Sequence, residues 1–521
     1  MSDPYTLSQK LNIAGLTAGI DSLEEVVSAG LTATDNTGRR FAQLAEASPT
    51  LENGLWKVLP DGQMETTWKI RSNAKWHDGQ PVTSDDLVFT LTVGLDRELA
   101  AFRDPTLDLV TGIEAIDAQT ATVRWTKPYI YADSLFTRQI ALPIPKHLLA
   151  KTYAEEKTTL TELPFWTSEF IGNGPFKLHE WQRGSYAIFR AFDDYVLGRP
   201  KIDEMEVRFI PEHNTLMSNL LAGAVQLTIG RNLSLDQAMQ VRDQWRDGKP
   251  EIGLGNWIVI YPQHLNPNPA VVGNVEFRRA LVHAIDRGQL ADTLMGGQTS
   301  VGHSFVSPDE PEYKDVQKDV VRYEYDPRRT VQIIDSLGYA KGADGTYRDA
   351  TSRPLTLEFR TVDNNQIHMP SVLAVSDYWR SIGIEIENVA IPQQRANERE
   401  YRTTFPAVEL LQNPNDLMGV SRWHSTRTAL PENNYQVFGN NARYMNAELD
   451  VLLDRYYATI PRPERTQVVG QMVHHITDQV AHMGLFYVAI PTMVNHRVKN
   501  VTARSNGSPG SWNAEAWDLI Q

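Results

Sequence analysis

The chain has 521 residues, 41% hydrophobic and 9% aromatic. That exceeds the roughly 250–300 residues a single core organises, so two or three domains are expected. Its Gly, Pro and charged contents exclude a disordered, collagen-like or coiled-coil chain, and no apolar run reaches the roughly 18 residues of a membrane span. Against 64 acidic residues stand 50 basic ones; the net charge of −14 repels a phosphate backbone, so no nucleic acid is expected as a partner, and zero cysteines remove disulfides, thiol catalysis and thiolate metal sites.

In chain order, 11–14 reads as a short strand, followed by a helix seeded at Asp21-Ser22-Leu23-Glu24. Asp21 and Glu24 have capping-box spacing, and Val26, Val27 and Leu31 continue the apolar face. From 32 to 76 strands and turns are expected, with turns at 35–40 and 59–63 and a hairpin carrying Trp56, Val58, Trp68 and Ile70 at alternating positions. Residues 73–89 read as strand, turn and helix: Asp78-Gly79 makes the turn, Thr83 is the N-cap and Asp86 the third helical residue. The macrodipole favours acids there, so Asp85 and Asp86 read as structural.

Strand, turn and strand follow at 115–125, and a helix starts at 144 with Pro145 in its first turn. Gly172-Asn173-Gly174-Pro175 opens another strand. Between 202 and 230 the order is strand, helix (215–221) and strand (225–229). A second joint has a strand at 255–261, a Pro/Asn-rich loop at 262–273 and a helix over 277–290. A helix begins at Asp326-Pro327 and stops at Gly338; then come a strand at 355–360, a helix at 371–382 and a strand at 384–387. Strands joined through helices argue for α/β layers.

No phosphate loop, dinucleotide fingerprint, G-x-S-x-G or H-E-x-x-H occurs. His474, His475 and His482 form the densest histidine group. On one helix, His475 and His482 would stand roughly 10 Å apart, too far to share an ion. No metal, no cofactor and no enzyme chemistry are therefore expected.

Five blocks carry a resemblance: Ala74-Lys75-Trp76-His77-Asp78-Gly79-Gln80-Pro81-Val82-Thr83-Ser84-Asp85-Asp86-Leu87-Val88-Phe89, then 172–176, 194–203, 277–287 and 444–450. In this order they resemble the extracellular solute-binding proteins of the oligopeptide, dipeptide and nickel class (family 5), which serve ABC transporters. The resemblance implies an α/β, two-lobed periplasmic-binding-protein-like fold (type II, cluster C) with an extra inserted domain. Lobe I would hold 1–33, 171–258 and 487–521, the inserted domain II 34–170, and lobe II 259–486. It also implies a solute in the cleft between lobes, a membrane permease as partner and a monomeric receptor. The location would be the periplasm or the outer face of the cell membrane, with a signal peptide or lipid anchor on the precursor.

Peptide-binding relatives carry a Trp-x-x-Asp-like loop in the second lobe. The matching stretch, 408–418, lacks the Trp, so either Asp416 fills the acidic role or Asn413 occupies the key position, where an amide hydrogen-bonds without supplying charge; Gln226 likewise stands where the family usually shows Asp. Asn413, Asn415 and Asp416 are candidate ligand contacts, although Asn-Pro-Asn-Asp is also turn chemistry. Arg422 can hold a carboxylate and Trp423 can stack, or both can belong to the core edge. Trp257 and Tyr261 share one strand face that meets either ligand or core, with Gln263 and His264 near the adjoining loop. A short peptide would use Asp416 and Arg422 for its charged ends; an oligosaccharide would use the aromatics as platforms and Asn413, Asn415 and Gln263 as hydroxyl partners.

Overall fold

The computed structural model describes residues 2–520 apart from 13–16, 18, 231–232, 363–364, 437–439 and 506–508. The chain divides into two units, Met1–Gly253 with Ile490–Gln521, and Leu254–Ala489. It passes from one to the other within two long strands, Gly248–Pro262 and Met483–Asn495.

The first unit holds a four-stranded antiparallel sheet in the order Trp56–Val58, Met64–Lys69, Thr120–Trp125, Val110–Ala115. Trp56, Trp68 and Ile70 face the core as the alternation predicts, whereas Val58 on the outer strand is 46% exposed. Helix Ser84–Leu95 starts at the capping box read from the sequence. The Asp86 carboxylate accepts from the Thr83 backbone N–H (2.9 Å), the Lys146 backbone N–H (2.9 Å) and Trp76 Nε1 (3.3 Å), so it ties the helix start to two other segments. A second antiparallel sheet runs Phe176–Gln182, Tyr186–Ala191, Glu204–Arg208. Leu23, Val27, Phe89, Trp166, Phe189 and Trp517 belong to one core cluster, which therefore gathers both ends of the chain.

Several local expectations are corrected here. Leu11 closes a 3-10 turn, Gln9–Leu11, instead of opening a strand, and Ile13 and Ala14 lie outside the described residues. Gly19, at φ 93°, begins helix Ile20–Val27 earlier than the Asp21 cap reading allows. Asp21 pairs with Arg504 instead, and Glu24 accepts from the Gln9 backbone N–H. Residues 225–229 form one antiparallel bridge, Leu227 with Val494, and no longer ladder. Residues 277–290 are two helices, Val275–His283 and Arg287–Met295, because Asp286 accepts from the Gln289 N–H and caps a new start.

The second unit is built on a five-stranded sheet in the order Glu385–Ile391, Thr356–Val362, Val408–Asn413, Gly248–Pro262, Met483–Asn495. Thr356–Val362 runs parallel to Glu385–Ile391, joined through helix His368–Ser381. Gly383, at φ 102°, supplies the left-handed turn that ends that helix without the steric cost of a Cβ. Gly248–Pro262 runs antiparallel to Val408–Asn413, with Trp257 opposite Asn413 and Tyr261 opposite Glu409. The mixed α/β architecture predicted from the strand–helix alternation is present.

Candidate functional site

The predicted site residues all lie in the second unit, and the strand pair Gly248–Pro262 and Val408–Asn413 brings most of them together. Trp257 and Tyr261 are 2% and 1% exposed, so their shared face packs inward. Tyr261 Oη accepts from Asn413 Nδ2 at 2.7 Å, which fixes the amide at the end of its strand. Burial pushes the Tyr261 phenol up, so it stays protonated and keeps a proton to donate. Trp257 packs so closely on Gly484 that a Cβ there would fall 2.4 Å from its ring.

Trp423 is 2% exposed and packs edge-on to Phe305, with ring centroids 4.8 Å apart. His482 lies between Trp423 and Tyr261, 4.7 and 4.9 Å from their rings. Burial, with the Arg422 charge adding to it, holds the imidazole down at about 4. Neutral at pH 7, it completes an aromatic bed of Tyr261, His482, Trp423 and Phe305. Helix Arg462–Asp478 ends before His482, so His475 and His482 do not share a helix, and the spacing used to judge them as metal ligands does not apply. His475 Nε2 meets Tyr444 Oη at 3.0 Å instead.

The loop after Asn413 sits beside this bed. Asn415 is buried, and its carbonyl accepts from the Ser307 N–H (3.1 Å). Asp416 Oδ1 accepts from the Gly419 N–H (2.7 Å), and its other oxygen lies 3.4 Å from the Arg422 guanidinium. Arg422 Nε donates to the Gly419 carbonyl (2.7 Å), and its guanidinium stands 5.7 Å from the Trp423 ring. Acid and base therefore form one internal pair around the turn Met418–Trp423, with part of each side chain still open to solvent. Tyr457 Oη donates to the Met418 carbonyl (2.7 Å) and accepts from the Ser421 N–H (3.1 Å), clamping the same turn. Glu310 accepts from the Leu417 N–H, and burial, reinforced by Asp416 and its other acidic neighbours, pushes its carboxyl up to about 8.

Gln263 is placed differently. Its Nε2 donates to the carbonyls of Thr403 and Phe405 (3.0 Å each), and its Oε1 accepts from Leu265 N and Arg443 Nε. Both ends of the amide are spent inside the fold. His264 likewise turns inward, against Tyr444 and the Ala481 carbonyl. The sequence reading missed Phe305, Glu310 and Tyr457. Each enters through tertiary contact from a distant segment, with no local motif to announce it.

Two α/β units joined by paired long strands are the architecture of the periplasmic-binding-protein class. The description "Bacterial extracellular solute-binding proteins, family 5 Middle" matches residues 46–428. The chain belongs to that family. It is similar to the oligopeptide-binding protein AppA of Bacillus subtilis, at 24% identity over 480 residues, covering 89% of this chain and 81% of that one. The structure of that AppA in complex with a nonapeptide covers all of this chain and 97% of its own, with a TM-score of 0.70. A periplasmic oligopeptide-binding protein of an ABC transporter from Thermotoga maritima superposes with a TM-score of 0.81 at 17% identity, over 100% and 97% of the two chains. Heme-binding protein A of Haemophilus influenzae is 22% identical over 462 residues, 83% of this chain and 78% of that protein. Members of this family are extracellular or periplasmic solute receptors. Among the described residues no helix is long and apolar enough to cross a membrane.

Proposed function

We propose that the protein is the solute-binding component of an ABC importer, that it takes a short peptide and that it delivers it to the membrane permease. The observation that carries this reading is the match along 89% of the chain to an oligopeptide-binding protein. The Asp416–Arg422 pair supports it, because one turn offers both a carboxylate for an ammonium and a guanidinium for a carboxylate. Asn413, Asn415 and the aromatic residues Trp257, Tyr261 and Trp423 shape the surroundings, while Gln263 contributes through the fold. The oligosaccharide alternative is weaker, since a stacking platform needs an open ring face and these three aromatics are at most 2% exposed. The proposal includes lobe I at 1–33, 171–258 and 487–521, the inserted domain at 34–170 and lobe II at 259–486. It also includes a monomeric, lipid-anchored or periplasmic mature form and no turnover of the solute.

The test is a calorimetric and thermal-shift screen of di- to pentapeptides against oligosaccharides, repeated with Asp416→Asn. A peptide should bind, and the substitution should weaken it by roughly 2–5 kcal/mol as the ammonium loses its countercharge. Tight oligosaccharide binding without a peptide response overturns the reading. Unchanged peptide affinity in the variant removes Asp416 from its role.

A further inference from the structure

The site proposed above contains one acid without a cation. Segment 307–312 lies along the loop that carries Asn415 and Asp416, tied to it by two bonds: the Ser307 N–H donates to the Asn415 carbonyl and the Leu417 N–H to the Glu310 carboxyl (3.1 Å each). These bonds bracket Asp416. Arg422 stands against Asp416 at 3.4 Å, and Arg462, from helix Arg462–Asp478, against Glu312 at 3.3 Å. Among the described residues no lysine, arginine or histidine pairs with Glu310, and the undescribed residues of this unit, 363–364 and 437–439, include no cation.

The remaining neighbours supply none. Asp309 and Glu312, from the same segment, and Asp416 add like charge, and Tyr457, from helix Ala447–Ala458, is held protonated by burial. A carboxyl enclosed among acids keeps its proton, and Glu310 keeps it up to about 8. At pH 7 the loop therefore offers Asp416, whose charge Arg422 already answers, beside a neutral Glu310. An ammonium that reaches Asp416 has to share that carboxylate with Arg422. Its positive charge opposes the burial and the repulsion that hold Glu310 neutral.

We propose that Glu310 sets the charge class of the solute: it is a latent second carboxylate, which ionises when an ammonium reaches Asp416 and so favours peptides with a free amino end. This rests on the peptide reading above and deepens it. On binding, the Glu310 O–H bond breaks and the proton passes to water. The carboxylate keeps its bond from the Leu417 N–H and adds the negative charge that Arg422 withdraws from the site. One proton released per solute makes affinity rise with pH, by at most about tenfold per unit. A peptide blocked at its amino end brings no such charge, leaves Glu310 protonated and shows no such rise.

The probes are a pool of tripeptides built from Ala, Leu and Phe and the same pool acetylated at its amino ends. Both are titrated by thermal shift against the full chain at pH 5.5 and 7.0, where the free α-amino group stays charged. The native chain should bind the free pool at least about threefold more tightly at pH 7.0 than at 5.5. Glu310→Gln keeps an acceptor for the Leu417 N–H and cannot ionise, so it should lose that rise and much of the preference for the free pool. The acetylated pool should show no rise with either chain. Should the variant misfold, the contrast between the two pools on the native chain still decides. The inference is overturned if the rise persists in Glu310→Gln, or if the substitution weakens both pools equally, as a purely structural bond to Leu417 requires. Binding of the free pool without any rise overturns the inference and leaves the peptide reading standing, whereas no binding of either pool to either chain overturns both.

Discussion

The bond between Tyr261 and Asn413 gives the sharpest handle on the proposed solute site. Replacing Tyr261 by Phe deletes one hydroxyl that is 1% exposed and leaves the ring on His482 in place. The lost bond, 2.7 Å from Asn413 Nδ2, is an ordinary neutral one, so stability should fall by about 1 kcal/mol. Asn413 is only half-buried, and its freed amide can turn to water, which keeps the cost near that value. The second effect falls on affinity. Without its tether the Asn413 amide rotates at the head of the loop bearing Asn415 and Asp416, and peptide binding should weaken about three- to tenfold, or ~1 kcal/mol. Wild type, Tyr261→Phe, Asn413→Ala and the double variant form a cycle, measured by urea unfolding and by calorimetry with the best peptide. The coupling energy in stability should be about 1 kcal/mol, and Tyr261→Phe should cost no affinity once Asn413 is already Ala. Zero coupling, or a Tyr261→Phe loss of affinity that persists in the Asn413→Ala background, would refute the positioning role.

Where the sequence could be read, the information was local. The capping box at Thr83 and Asp86 was legible because its two reciprocal bonds lie within one helical turn. The helix start at Asp326-Pro327 was legible for a similar reason, since the Asp326 carboxylate accepts from the Arg329 N–H within the same turn. The Asp21 cap failed because Gly19, two residues upstream, offered a left-handed start, and Asp21 was taken by Arg504 from the far end of the chain. Nothing at position 21 signals a partner 483 residues away. The same limit governs the candidate site. Polar loop chemistry picked out Asn413 to Asp416, but the four bonds that engage the Gln263 amide come from 265, 403, 405 and 443. His482 looked like part of a helical histidine group, and only the end of helix Arg462–Asp478 frees it to join the aromatic bed. Fold class depends on repeated local alternation and survives such errors, whereas a site depends on single long-range contacts and does not.

Two further outcomes follow from buried charge. Glu409, fully buried in the central strand, faces Arg402 at 2.8 Å and Arg360 at 3.9 Å. In Glu409→Gln the Arg360 guanidinium loses its fully buried countercharge and keeps the half-buried Glu358 carboxylate, the Tyr401 and Arg402 carbonyls and the Tyr401 and Phe405 rings, so urea unfolding should show a loss of about 3 kcal/mol; a loss below about 1 kcal/mol would contradict that reasoning. The second outcome is the pH profile of stability. Burial holds the imidazoles of His77 and His264 down at about 3 and that of His482 at about 4, against 6.5 in the open chain. The unfolded state therefore binds protons that the fold refuses, and stability falls as the pH drops below about 6.5. Burial acts oppositely on Glu24 and Glu25, pushed up to about 7, and on Glu310, pushed up to about 8, against 4.5 unfolded. There the fold keeps protons that the open chain has released, so stability is lost as the pH rises through 7 toward 8. The two sets oppose each other between about 4.5 and 6.5, and the maximum should lie in that window. Urea midpoints measured from pH 3 to 9 test the shape, and Glu310→Gln tests its cause: the amide cannot ionise, so the decline between pH 6.5 and 8 should become shallower and the maximum should move up in pH, while the limb below about pH 4.5 keeps its slope. An unchanged alkaline limb in Glu310→Gln would show that this carboxyl ionises at its ordinary pH and that burial does not hold its proton.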